Sequence, residues 1–328
     1  MKSQHQVNVL LVGYESEKWL EKCLQSLAAA SSSRLHLCFV DNKNNPTFSE
    51  MDLTAFDVEV IKTPKPLGFA DANNFGLRHT ACESKYTVFL NQDTVSTSGW
   101  IDRCVECFEN EADVGVISPG LRQYDLCDWE PNLVECVKQK GLGQESLKQS
   151  VLELDFVTAA AMAIRTDVLD QNGPFDPFFG SYYEDYDLCR RVRNAGYRVI
   201  ACTDARVGHF SGSVSVSRQT SKRRARALIR NRLIHKVREH PTHRLRTLLR
   251  YAAGLPRNLL RGILQTPSSQ PVSATLLGCV DVIRALPRLL SERRDIAEWQ
   301  KFLREFRNGD SDASAGAARN NPARVSKA

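Results

Sequence analysis

The sequence predicts an open α/β sheet of mostly parallel strands that gives way, near residue 218, to a basic helical region. Three observations carry the prediction. Short β-branched, apolar runs alternate with segments of helical period over the first two hundred residues. Several of these runs end on polar or acidic residues, as strands do at the ligand-bearing edge of such a sheet. The charge is also divided: residues 218–307 hold 21 Lys and Arg against 6 Asp and Glu, whereas residues 1–217 hold 20 against 30.

Residues 7–13 (VNVLLVG) are a buried-strand run. Ser16 then starts a helix on which Trp19, Leu20, Cys23, Leu24 and Leu27 recur at helical spacing. Strands follow at 35–40, ending on Asp41-Asn42, and at 58–61. Pro64, Pro66 and Gly68 interrupt the chain before a helix from Phe69 to about Ala81. A fourth strand, 86–90, ends on Asn91-Gln92-Asp93; a helix begins near Gly99, and 114–117 is a fifth strand. Residues 120–150 show no clear period and read as a partly helical insertion. Residues 155–164 (DFVTAAAMAI) are strand-like, and the turn at 173–177 separates them from 178–183. A helix over 184–195 is closed by Gly196, a natural C-terminal cap, before a last strand at 197–202 from which 204–209 runs out. From Gln219 the pattern is helical, and residues 308–328 carry almost no large apolar group, as in a disordered tail. The expected division is therefore 1–217, 218–307 and 308–328.

Across 328 residues, 42% hydrophobic and 25% charged, a packed core forms and wholesale disorder is excluded. No run approaches the ~18 apolar residues of a membrane-spanning helix. The first residues lack a signal-peptide core, so a cytoplasmic protein with ten reduced cysteines is expected. Cys104-x-x-Cys107 has no second pair at zinc spacing and lies among Trp100, Ile101 and Phe108, which favours packing over metal binding.

Three strand ends carry candidate chemistry: Tyr14-Glu15, Asp41-Asn42 and Asn91-Gln92-Asp93. A single Asp after a strand is usually a turn or cap residue. Three on one sheet edge suit a ligand. An acid after the second strand fits a ribose or base. One after the fourth fits a divalent ion, and oxygen ligands on a diphosphate select a hard one, Mg²⁺ or Mn²⁺. Glu184, Asp185 and Asp187 open a helix, where the dipole favours anions whether they serve stability or proton transfer.

The stretches VNVLLVGYES, CFVDNKNN, PLGFADANNFGLRH, VFLNQDT, FVTAAAMAIR, GPFDPFFGSYYEDYDLCRRVRNAGYRV and DARVGH resemble, in order and spacing, the family-2 glycosyltransferases of GT-A fold, especially their rhamnosyltransferase-like branch. The resemblance covers residues 7–209. It implies an inverting, metal-dependent transfer of rhamnose or another hexose from a dTDP- or UDP-sugar to a glycan or lipid-linked acceptor, in surface-polysaccharide synthesis. On this likeness Tyr14, Glu15 and Asp41 belong to the surface for the nucleotide's base or ribose. Gly68 allows close backbone approach, and Asn73 and Asn74 lie near the donor. Asn91-Gln92-Asp93 takes the place of the family's DxD motif, with Asp93 holding the metal and His209 a further ligand. Asp185 is the general base, beside Glu184. Departures are Gly13-Tyr14-Glu15 where the family has NYN, Asn91 in place of the first DxD acid, and Lys65-Pro66 where Asn often precedes LGF.

A non-catalytic nucleotide-sugar-binding or membrane-scaffolding homologue is the alternative; retention of Asp41, Asp93, Asp185 and His209 together speaks against it. Residues 218–250 have 12 Lys and Arg against Glu239 alone, yet lack the interleaved aromatics or zinc spacing of a nucleic-acid module, so no nucleic-acid partner is expected. Instead Leu228, Ile229, Leu233, Ile234, Leu245, Leu248 and Leu249 recur among arginines as on a basic amphipathic helix, which fits an anionic membrane surface on the inner face of the plasma membrane. The competing expectation is that these apolar faces pack on the catalytic domain, with Arg230 or Arg232 near the donor diphosphate.

Overall fold

The computed structural model describes residues 3–43, 51, 53–210, 218–265 and 270–308. Most of the tail expected at 308–328 lies outside them. Nine strands form one sheet among the described residues: β1 (Ser3–Tyr14), β2 (Leu35–Lys43), β3 (Phe56–Lys62), β4 (Cys82–Asn91), β5 (Thr94–Ser96), β6 (Val114–Gln123), β7 (Val151–Leu154), β8 (Ala161–Arg165) and β9 (Arg198–His209). Their order is β3-β2-β1-β4-β8-β6-β9-β5, with β7 also paired to β9. The helices are α1 (Leu20–Leu27), α2 (Phe69–His79), α3 (Trp100–Asn110), α4 (Pro131–Gln139), α5 (Thr166–Asn172), α6 (Glu184–Asn194), α7 (Arg218–Glu239), α8 (Arg244–Gln265), α9 (Gln270–Leu289) and α10 (Glu292–Asn308).

The block β3-β2-β1-β4 is parallel, as the alternation of strand and helix requires. Beyond that block β6 and β9 are parallel, whereas β8 runs antiparallel to β4 and β6, and β5 and β7 run antiparallel to β9. Six strands, β1–β4, β6 and β9, run one way and three, β5, β7 and β8, the other, so the sheet is mostly parallel with antiparallel members. Residues 155–160 enter β8 as irregular chain, and 178–183 form turns, not a strand. The 120–150 insertion holds α4, a 3₁₀ turn at Gln144–Lys148 and the approach to β7.

Two compact units divide the described chain. One comprises the residues up to Phe175 and those from Leu188 to Phe210; the other comprises Asp176–Asp187 and the described part of 218–308. In the first, β1, β2 and β4 are buried along their centres (Val9, Leu10, Leu11, Leu37, Phe39, Val88 and Phe89) and α2 lies close against them. Gly76 permits that approach: a Cβ there would stand 2.6 Å from Val40 Cγ2 and 2.9 Å from Leu10 Cδ1. Gly196 takes φ +91°, the left-handed turn expected after α6. All ten cysteines are free thiols, and Cys107 packs with its sulfur 3.7 Å from that of Cys202.

The second unit has its own core of Phe179, Leu233, Ile234, Val237, Leu248, Ala285 and Leu289. Part of the apolar pattern of 218–307 is therefore spent on internal packing. Another part is not: Leu245, Leu249, Ile283 and Leu290 are each more than half exposed. Among the described residues no helix is long and apolar enough to cross a membrane.

Candidate functional site

The carboxyl ends of β1, β2 and β4 adjoin, because β1 pairs in parallel with both neighbours. Gly13 lies opposite Asp41, and Val12 opposite Asn91. Tyr14 and Glu15 follow the β1 bulge, and Glu15 takes a left-handed φ of +49°. Its carboxylate meets Lys43 at 2.6 Å, and Lys43 Nζ sits 5.1 Å from the centre of the Tyr14 ring. Gln92 clamps the same corner: its side chain accepts from Tyr14 N (2.7 Å) and donates to Tyr14 O (2.9 Å). Asn42, buried near the end of β2, accepts from Leu67 N and donates to Leu67 O, tying the strand end to the loop before Gly68. Gly68 precedes α2 in an extended conformation. Asn73 bonds back to Phe69 O within α2, and Asn74 exchanges two hydrogen bonds with the Phe175 backbone. Both asparagine side chains are buried, so their amides brace the scaffold.

Asp93 and His209, 116 positions apart in the sequence, are brought together by strand pairing. Thr94 on β5 lies opposite His209 on β9, and Phe210 N donates to Asp93 O. His209 Nε2 is 3.5 Å from Asp93 Oδ1 and 3.4 Å from the Asn91 amide nitrogen. On the other side of the ring, Nδ1 lies 3.2 Å from Oε1 of Glu130, a fully buried carboxylate that caps α4 by accepting from Asn132 N and Leu133 N. Burial acts to lower the His209 pKa, but the Asp93 and then the Glu130 hydrogen bonds and charges outweigh it and lift the value to about 9. Without a metal, these two carboxylates favour the protonated ring, and a divalent ion ligated by Nε2 would displace that proton.

This donor set fits a hard divalent ion. With Nδ1 engaged by Glu130, Nε2 is the nitrogen that faces Asp93, an arrangement common around metal-ligating histidines. Among the described residues no group of three or more His, Cys, Asp and Glu converges on one point. One carboxylate and one imidazole leave positions for phosphate oxygens and water, as Mg²⁺ sites on nucleotides ordinarily do.

The acidic segment lies in the second unit. Glu184 is buried with Oε2 lacking any hydrogen-bond partner, and burial, then the Asp185 charge, pushes its pKa well above the carboxylate range. Asp185 Oδ1 accepts from Tyr186 N at the start of α6. Asp187 is buried against Arg238 at 3.0 Å, which explains that acid structurally. Arg230 donates to Phe178 O at 2.6 Å and is thus engaged inside its own unit.

Glu130, Asn231 and Arg238 were not singled out by the sequence patterns. The signal for Glu130 was present, since Glu-Pro at a helix start is a cap followed by a favoured first residue. Its link to His209 spans 79 positions and has no sequence signature.

The sheet order, with a mixed second half and ligand-facing ends on β1, β2 and β4, is that of the GT-A nucleotide-diphospho-sugar transferases. TarS of S. aureus has the same fold (TM-score 0.56, 15% identity), matched over 93% of this chain and 53% of that one; the chain spans about half of that TarS. Mannosyltransferase PcManGT from Pyrobaculum calidifontis, solved with GDP-Man and Mn²⁺, matches at TM-score 0.53 and 16% identity over 88% of each chain. N-acetylglucosaminyl-diphospho-decaprenol L-rhamnosyltransferase of Mycobacterium tuberculosis is 22% identical over 229 residues, 61% of this chain and 75% of its own length. The chain belongs to the glycosyltransferase like family 2, whose pattern matches residues 5–230.

Proposed function

We propose that this protein is an inverting glycosyltransferase that moves rhamnose or another hexose from a dTDP- or UDP-sugar to a hydroxyl of a lipid-linked glycan. The observation that carries the reading is the juxtaposition of Asp93 with His209 Nε2 beside the ends of β1, β2 and β4. Asp41, Tyr14 and Glu15 form the surface for the nucleoside, where Lys43 neutralises Glu15. Asp93 and His209 would hold the divalent ion, which when bound stabilises charge on the departing diphosphate. Glu130 keeps the His209 ring oriented, and Asp185 takes the acceptor hydroxyl proton as the new bond forms. The mycobacterial relative's name specifies a lipid-diphosphate acceptor, and its similarity supports an acceptor of that class. The test is a panel of dTDP-rhamnose, UDP-GlcNAc and GDP-mannose against a GlcNAc-diphospho-polyprenol analogue, with and without Mn²⁺. Release of nucleotide with one donor, dependent on the analogue, is the expected result; no turnover with any donor removes the reading.

Metal dependence has its own check. Asp93→Ala and His209→Ala are each expected to weaken Mn²⁺ binding in calorimetry while the fold, by circular dichroism, is kept. Full turnover in excess chelator overturns this part.

The membrane reading rests on the second unit. Residues 240–280 contain no Asp or Glu but five arginines, and Arg246, Arg250 and Arg284 are exposed beside Leu245, Leu249 and Ile283. Each Lys or Arg close to an anionic leaflet contributes ~1 kcal/mol, and inserted apolar side chains add to it. The full chain is expected to float with vesicles containing anionic lipid and not with neutral ones. The pair Leu249→Glu and Ile283→Glu should abolish flotation; equal recovery of native and variant chains in the soluble fraction would remove membrane docking. This placement would set the enzyme at the cytoplasmic face, where a lipid-linked acceptor is within reach.

A further inference from the structure

We propose that α7 is the positioning element of the acidic segment, and that Asn231 on α7 sets the backbone that carries Asp185. The inference rests on the reading of Asp185 as the base. Asp176–Asp187 belongs to the same compact unit as the C-terminal helices, although the chain immediately on either side of it belongs to the sheet unit.

The segment is held at both ends and at its centre by three side chains of one helix. Arg238 donates to Asp176 Oδ2 at 2.8 Å and to Asp187 Oδ1 at 3.0 Å, the first and last residues of the segment. Arg230 donates to Phe178 O at 2.6 Å. Asn231, fully buried, places Nδ2 2.8 Å from Phe179 O, 2.9 Å from Ser181 O and 2.7 Å from Tyr182 O. An amide nitrogen has two hydrogens, so three carbonyls share them, and Oδ1 is taken by Arg230 at 2.7 Å. One side chain thereby collects three carbonyls of one turn.

That turn is strained. Tyr182 and Tyr183 both lie in the left-handed region, at φ +72° and +73°, which bulky residues avoid and which persists only where the surroundings dictate it. Glu184 and Asp185 follow immediately as the first residues of α6. Tyr183 and Tyr186 also pack against His235, the next turn of α7, each with ring centroids 5.6 Å away. A buried amide aimed at three carbonyls of one loop specifies a particular backbone path. In a transfer reaction a base displaced by 1 Å can cost on the order of 10²-fold.

The experiment compares Asn231→Asp, which keeps size but removes both donors, with Asn231→Ala, Asp185→Asn and the double variants in the full chain. Turnover is measured with whichever donor of the panel above the native chain uses, alongside donor affinity and amide hydrogen exchange of the acidic segment. The Asn231 variants should exchange faster in that segment, bind donor within about twofold of native and lose about 10–10²-fold in kcat. In the Asp185→Asn background they should cause no further loss, which a general loss of packing would not reproduce. If Asn231→Asp fails to fold, Asn231→Ala carries the same comparison. Native kcat in the Asn231 variants beside an impaired Asp185→Asn overturns this role alone, as does a double variant that loses the full product of the single effects. Full turnover by Asp185→Asn removes the base and this role together.

Discussion

Asp185→Asn is expected to lower turnover by about 10²–10⁴-fold, the range lost with a positioned base, while donor binding stays near native. The amide keeps the shape of the carboxylate and its bond to Tyr186 N, but it cannot take a proton. Glu184 is poorly suited to replace it. That carboxyl is buried, one of its oxygens has no partner, and its pKa stands well above the usual range because burial penalises its charge. A carboxyl whose ionised form is penalised by burial makes a poor proton acceptor. Glu184→Gln, which keeps the size of the side chain, should therefore cost far less than Asp185→Asn. Donor titration and initial rates on the two variants give the comparison, and transfer at the native rate by Asp185→Asn would remove the assignment.

The second large effect concerns stability. Arg238→Met is expected to destabilise the protein by about 3–5 kcal/mol, the usual cost of removing one partner from a buried ionic cluster. Arg238 is buried and makes charge-assisted bonds to Asp176, Asp187 and both oxygens of Asp295; methionine would remove all of these, leaving Asp176 with Arg288 and Asp295 with Arg288 and Arg244. Urea unfolding of the full chain reads the difference. The same cluster has a pH signature. Burial tends to raise the Asp295 pKa, but the Arg238 bond and charge, and then those of Arg288, outweigh it and hold the carboxyl below its ordinary range. A carboxylate whose folded pKa is depressed contributes stability above its unfolded value, near pH ~4, and loses it as pH falls through the lower folded value. Native stability should decline in acid below about pH 4, and Arg238→Met should flatten that decline. An unchanged urea midpoint in the variant would show the cluster to be energetically neutral.

Periodicity located the elements wherever burial was one-sided or complete. The runs at 7–13, 35–40 and 86–90 are the central strands β1, β2 and β4, and Leu20, Cys23, Leu24 and Leu27 are the buried stripe of α1. It missed β5 and β7, which have three and four residues and owe their strand form to β9. Such short pieces carry no period of their own. Likewise Asn73 and Asn74 look like ligand groups in sequence, because nothing local shows that Phe69 and Phe175 already take their amides.

The charge division had the same limits. The arginines of 218–307 read as a surface in sequence, and those at 246, 250 and 284 are one. Arg226, Arg230, Arg238 and Arg288 instead turn inward to Asp281, Phe178 O, Asp176, Asp187 and Asp295. A basic residue's role depends on whether an anion lies within a few ångströms of it, and chain order does not report that.

By itself the sequence determined the strand–helix alternation, the polar strand ends and, through motif order, the glycosyltransferase family, because these depend on short-range spacing and residue chemistry. The tertiary structure decided which strands run antiparallel, that Glu130 stands behind His209, and that the acidic segment is held by α7. These are contacts between residues about fifty or more positions apart in the chain, set by pairing and close packing, which no local pattern encodes.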